Sequence, residues 1–487
     1  MNDNVSTINW RLENTYATLP EVFYSLQHPI SVANPKMICY NETFADELGL
    51  NFLNKEDRDV AAFLSGNKIP NESKPLAQAY AGHQFGHFNM LGDGRAILLG
   101  EHIAPNGKRY DIQLKGSGQT PYSRRGDGRA TLYSMLREYL ISEAMHHLGI
   151  PTSRSLAVVS TGENVIREVI QEGGILTRIA ASHIRVGTFE YARNYGSIED
   201  LQALTNYTIQ RHYPEISDAD NPALELLRTM MDKQINLVVH WMRVGFIHGV
   251  MNTDNMSIAG ETIDYGPCAF MNAYNPGTVF SSIDTRGRYA YGNQPFITKW
   301  NLAIFANALL PLISENQDQA VSLAQEVIEE FQNKFSDVWY SMMLGKLGII
   351  NSEEKDKELV DVLLSLLENN KADYTQVFIA LQQAENSELP IFKEADFKEW
   401  MEQWKSAYSR NNQQKEGLAL MNKLNPKVIP RNHWVENVLV TAVEGDLTPF
   451  NQLLETLSKP YETHSDALQF QQIPEGFDAN YQTFCGT

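Results

Sequence analysis

The chain has 487 residues, 43% of them apolar and 20% charged, which is enough for two or three domains and sets it apart from disordered chains. Its 59 acidic against 40 basic side chains leave a formal charge of −19, which argues against nucleic acid or an anionic membrane as partner, because no broad basic surface is available. Three cysteines, Cys39, Cys268 and Cys485, match no zinc or disulfide framework, and the first ten residues resemble neither a signal nor a transit peptide, so a reduced, cytoplasmic setting is expected.

Taken in chain order, His83 and His87 come first. They are spaced i, i+4 but flanked by glycines and lack the Glu of a zincin motif, so packing or hydrogen bonding is expected rather than zinc. Gly92-Asp93-Gly94-Arg95 suits a nucleotide-covering turn or a plain hairpin equally, since G-x-G alone does not separate them. Ala96–Leu99 and Tyr110–Leu114 read as strands. The loop Gly116–Arg129, rich in glycine and arginine, offers backbone N–H groups that can cradle an anion. Arg129–Leu148 has helical periodicity and stops at Gly149 and Pro151.

Ser155–Ser160 and Asn164–Ile170 then read as paired strands around a Thr161-Gly162-Glu163 turn. A second helical pattern covers Pro222–Val244. After Lys299 nearly everything is helical, with amphipathic stretches at Trp300–Ile313, Gln317–Phe335, Leu359–Leu367 and Val435–Val443. The longest apolar run, Asn301–Ile313, is expected to be too short to span a bilayer. A mixed first half before a helical second half makes the chain α+β, the order a bilobal kinase-like protein shows.

The chemistry concentrates between His248 and Gly266. His248 and Asn255 fall on the His and Asn of the kinase catalytic loop, H-x-D-x-x-x-x-N, and Asp264-Tyr265-Gly266 falls on its metal-binding triplet. Val250 occupies the place of the catalytic aspartate and cannot take a proton. Asp254 is the carboxylate that can. Asp254 with Asn255 suits a hard cation such as Mg²⁺, although an Asx turn would use the same residues. Lys115 closes a strand 23 residues before Glu138, the arrangement of a phosphate-holding lysine and its helix glutamate. A solvated strand end and an exposed helix residue are the plainer alternatives.

The segments Leu76–Gly86, Gln113–Arg124 and His248–Asn255 resemble the selenoprotein O family, known as YdiU in bacteria. The resemblance is dense from Asn14 to Trp300 and returns at Asn425–Lys427 and Arg431–Asn432. It implies a bilobal protein-kinase-like fold with a helical C-terminal extension, divided near 1–180, 181–300 and 301–487, the last packed on the second lobe. It also implies transfer of AMP from ATP, with release of diphosphate, to Ser, Thr or Tyr hydroxyls of proteins, using Mg²⁺ or Mn²⁺.

On that resemblance Asp254 is the base, Asn255 and Asp264 are the metal ligands, and Glu138 supports Lys115. Lys115, Arg178, Arg185 and Asp264 contact the nucleotide together with Gly92, Gly94, Arg95, Asp127 and Gly128. The competing readings are a kinase acting at the γ-phosphate and a non-catalytic ATP-binding scaffold. The family carries a C-terminal cysteine or selenocysteine, for which Cys485 is the counterpart. Phe280 stands where some members place its partner cysteine, so a regulatory bond would have to use Cys268 instead.

Overall fold

The computed structural model describes residues 9–50, 57–383, 387–463, 465–474, 476–479 and 481–484. A twisted antiparallel sheet dominates the first 180 residues. Its spatial order is Tyr24–Leu26, Leu76–Gln78, Ala96–Ile103, Arg109–Lys115, Ile170–Ala180, Arg154–Ile166 and Lys36–Tyr40. Strand pleating sends alternate residues to opposite faces. Ile97, Leu99, Ile112, Leu114, Ile175 and Ile179 therefore pack on one side, beneath the helices Glu42–Glu47 and Asp57–Leu64. Leu98, Val158 and Leu176 face the other way into a larger core shared with the helices.

The expected hairpin is placed differently. Arg154–Ile166 is one strand, paired with Ile170–Ala180, and the chain reverses where the Arg167 N–H donates to the Val169 carbonyl at 3.1 Å. Thr161-Gly162-Glu163 is absorbed as an irregularity between the pairs Ser160–Gly174 and Asn164–Glu172. The turn chemistry there is real, and Gly162 adopts φ +69°, but the ladder continues past it.

The helix Leu132–His147 begins after Thr131, whose hydroxyl accepts the Ser134 N–H, a cap worth about 1 kcal/mol. It lies across the sheet's inner face. Asn432–Val443 and Thr448–Leu457 pack on it from the C-terminal half. Arg137 ties these parts together by donating to Glu436 Oε1 at 2.9 Å and to the Cys268 carbonyl at 2.7 Å. Cys268 is buried, and burial pushes its thiol up to about 11, which leaves it unreactive. Cys485 lies outside the described residues, and so does its pairing.

Beyond residue 180 the chain is mainly helical. Pro222–Arg243 and Gln294–Ile313 form its centre. The Gln317–Phe335 stretch is two helices, Gln317–Glu329 and Phe331–Lys346. Among the described residues one helix, Tyr291–Ile313 at 23 residues, is long and apolar enough to cross a membrane, longer than the Asn301–Ile313 run had indicated. Half of its most apolar window is buried, and it packs between Val186–Tyr195, Pro222–Arg243 and Gln317–Glu329 as a core helix does.

Candidate nucleotide and metal site

The pleat that buries Ile112 and Leu114 on one face necessarily turns Asp111, Gln113 and Lys115 to the other. In the neighbouring strand Leu176 lies opposite Lys115 and Arg178 opposite Gln113, so the two cations share that face. Glu138 reaches them from the crossing helix. Lys115 Nζ donates to Glu138 Oε2 at 2.6 Å and to Asp264 Oδ1 at 2.9 Å. Arg178 donates to Asp264 Oδ1 at 2.5 Å, to Glu138 Oε1 at 3.3 Å and to Gln113 Oε1 at 2.5 Å. Arg185, at the start of the helix Val186–Tyr195, reaches Asp264 Oδ2 at 3.5 Å and the Asp254 carbonyl at 2.9 Å. Its guanidinium lies over the Tyr80 ring at 4.2 Å.

Three cations thus converge on two carboxylates, all in or beside a cavity of about 420 Å³. Burial alone would raise the Asp264 pKa, but Lys115, Arg178 and Arg185 together outweigh it and hold the carboxyl well below its usual range. Asp264 sits at φ +62°, a left-handed conformation uncommon for Asp that is held by its surroundings. His248 donates from Nε2 to the Ile263 carbonyl at 3.0 Å, pinning the segment just before it. Gly249, at φ +80°, lets the backbone after His248 approach Pro267, whose carbonyl oxygen is 2.5 Å from where a Cβ would stand.

Among the polar atoms at this site that are buried and lack any hydrogen-bond partner among the described residues are Asp254 Oδ1 and Arg185 Nη2. One is an acceptor and the other a donor, and leaving either unmatched is costly. Burial pushes Asp254 up to about 7, with Arg185 pulling the other way. Asn255 commits its amide nitrogen to the Val250 carbonyl at 2.9 Å, which leaves its amide oxygen as the atom able to face a cation. Among the described residues no group of three or more His, Cys, Asp and Glu could hold a metal by itself. Asp254, Asn255 and Asp264 are all oxygen donors, however, which suits Mg²⁺ shared with phosphate oxygens and water.

Gly92, Gly94, Arg95, Asp127 and Gly128 all line the cavity. Asp127 accepts two hydrogen bonds from Arg167, at 2.9 and 3.1 Å. Sequence reasoning did not find Arg167, Tyr80, Tyr122 or Asn252 in this wall. Tyr80, Tyr122 and Asn252 fall inside stretches the sequence had already singled out, but residue type alone does not tell which side chain faces the cavity, and Arg167 arrives from a separate reversal. It also missed Glu190, which is buried, pushed up to about 7 by that burial, and hydrogen-bonded to His83 Nδ1. His83 in turn donates its backbone N–H to Thr253 Oγ1 at 2.7 Å, while His87 is exposed.

Gly82 reveals how tightly the Asp254 carboxylate is held. A Cβ there would stand 2.5 Å from Asp254 Oδ1. Gly82→Ala should therefore displace the carboxylate and lower kcat by about 100-fold, the scale of an ångström-sized misplacement. Thermal denaturation should move far less, and measuring both quantities separates the two effects.

A family model described as protein adenylyltransferase SelO matches residues 6–458. The chain is similar to the protein nucleotidyltransferase YdiU of Brevibacillus brevis, at 55% identity over 100% of both chains. It is similar at 52% identity to the protein of that name from Pelagibacter ubique, over 99% of this chain and 100% of the relative. The Geobacillus kaustophilus protein is 52% identical over 98% and 99%. These likenesses define the class first, that of enzymes transferring a nucleotide to protein. The chain belongs to the SelO family of protein adenylyltransferases. Membership makes it an ATP-using nucleotidyltransferase and implies dependence on magnesium.

Proposed function

We propose that the site around Asp254 moves AMP from ATP onto the hydroxyl of a Ser, Thr or Tyr in an acceptor protein. The acceptor oxygen forms a bond to the α-phosphorus, the bond from that phosphorus to the bridging oxygen breaks, and diphosphate leaves with the electron pair. Asp254 Oδ1 takes the hydroxyl proton. The observation that carries this assignment is that buried oxygen, without a donor among the described residues, beside a cluster with more cations than carboxylates.

Lys115, Arg178 and Arg185 bind the phosphates, and Glu138 holds Lys115 in place. Gly92, Gly94, Arg95, Asp127 and Gly128 close over the nucleotide. Asn255 and Asp264 would hold Mg²⁺ or Mn²⁺, which when bound supplies charge neutralisation at the phosphate oxygens. The fold is assigned as bilobal and protein-kinase-like, with a sheet-bearing lobe at 1–180, a catalytic lobe at 181–300 and a helical region at 301–487. Confinement of the large sheet to the first 180 residues and the Lys115–Glu138 pair support that division. A cytoplasmic location is part of the same proposal.

ATP labelled at the α-phosphate, incubated with enzyme, magnesium and cell extract, should label protein. Label entering protein only from γ-labelled ATP would replace this reading with a kinase reaction.

A further inference from the structure

Phe85 closes the short hairpin formed by Ala81–Gln84 and His87–Met90, and a second cavity of about 560 Å³ opens on its far side. The two cavities share a wall. The Phe85 N–H donates to Asn252 Oδ1 at 3.2 Å, and the Tyr289 hydroxyl donates to the same oxygen at 2.6 Å. Asn252 lines the nucleotide cavity two residues before Asp254. A chain lying in the second cavity is therefore separated from the Asp254 cavity by the Phe85–Asn252 wall.

The second cavity differs in character from the chain's acidic surface. Phe296 and Ile283 line it and are 66% and 50% exposed. Arg286 is exposed at its edge, and Arg288 is half-buried beside it. Arg288 stacks 4.7 Å from the Trp300 ring, and its buried Nε has no hydrogen-bond partner among the described residues. Asp284 is the one acid in the lining, and its two oxygens are taken by the backbone N–H groups of Arg288 and Tyr289 at 2.8 and 2.7 Å. That carboxylate shapes the loop and is spent on backbone N–H groups rather than on Arg286 or Arg288, and Arg288 also meets the Tyr289 hydroxyl. On a chain of net charge −19, such a cationic and apolar recess is a local exception.

We infer that this cavity receives the acceptor protein. It seats an acidic side chain on Arg286 and Arg288 and an apolar one against Phe296 and Ile283, while the neighbouring hydroxyl reaches Asp254 past Asn252. The inference rests on the AMP-transfer reading and adds the sequence class of its acceptors. The wall shared with the Asp254 cavity and charge complementarity select this occupant.

The test uses full-length enzyme, α-labelled ATP and a positional-scanning set of peptides with a fixed central Ser, Thr or Tyr. Wild-type enzyme should label peptides bearing Asp or Glu near the hydroxyl about fivefold better than those bearing Lys, the scale of one exposed ion pair. Arg286→Glu should invert that preference by raising the KM for acidic peptides rather than lowering kcat. Phe296→Ser should raise KM for peptides with an apolar neighbour. Both positions are exposed, and thermal denaturation with Mg-ATP binding reports whether each variant is folded. Charge-blind labelling, or an unchanged preference in Arg286→Glu, would overturn the inference and leave AMP transfer standing. So would label that reaches protein in extract but no peptide. Absence of α-label from every acceptor would remove both.

Discussion

Replacing Asp264 by Asn is expected to abolish the magnesium dependence of ATP binding while leaving magnesium-free ATP binding intact or stronger. Asp264 is the one carboxylate in contact with all three buried cations, Lys115, Arg178 and Arg185. Neutralising it removes an oxygen that a hard cation requires and, in the same step, releases those cations toward the phosphates. The loss of metal affinity should exceed about 10–100-fold, which is what partners one layer further out are worth. Calorimetry of ATP binding with and without magnesium measures both halves. A variant in which magnesium still tightens ATP as in wild type would remove Asp264 from the metal site. Glu138 keeps partners in Lys115 and Arg178, so the variant should still fold, and circular dichroism checks this.

The second large effect is expected at Asp254. Asp254→Asn should lower kcat by about 10²–10⁴, the usual worth of a general base, with little change in ATP affinity. The substitution breaks no hydrogen bond to Oδ1 among the described residues, because that atom has none there. A pH profile adds a sign. Burial pushes Asp254 up to about 7, and the unprotonated form is the one that accepts a proton. The kcat/KM for ATP, which reports the free enzyme, should therefore rise with pH and level off above about 7, and Asp254→Asn should erase that limb.

Stability should move in the opposite direction. A carboxyl whose folded pKa lies above its unfolded value stabilises the fold at low pH, and that contribution fades as pH rises through about 7. At pH 8 the Asn variant should accordingly melt at or above the wild-type temperature. Unchanged kcat in Asp254→Asn would assign the proton to another group, and buried Glu190, one Thr253 contact away, would be the next to test.

Much of the secondary structure was legible because it obeys local periodicity. The helices Leu132–His147, Pro222–Arg243 and Asn432–Val443 lie within a few residues of their apolar patterns. The hairpin was misplaced for an equally local reason. Gly162 supplies the turn signal, whereas the actual reversal at Arg167-Glu168-Val169 contains no turn residue at all. Bulge and turn use the same chemistry, and only the partner strand decides between them. The single helix break at Glu330 was missed because both flanking segments keep a helical apolar stripe.

By itself the sequence determined the residue types in the cluster from His248 to Gly266: a carboxylate at 254, an amide at 255, a second carboxylate at 264 and a valine where a kinase keeps its aspartate. These follow from spacing along one segment. What only tertiary structure decided is their charge environment. Lys115 and Arg178 are 63 positions apart, and strand pairing alone sets them on one face, while Arg185 enters from a helix start. The burial that raises Asp254 and the cations that depress Asp264 are sums over side chains that two strands, the helix Val186–Tyr195 with its cap and a loop bring together. Electrostatic energies depend on distance through space and on exclusion of water, and neither quantity is encoded in separation along the chain.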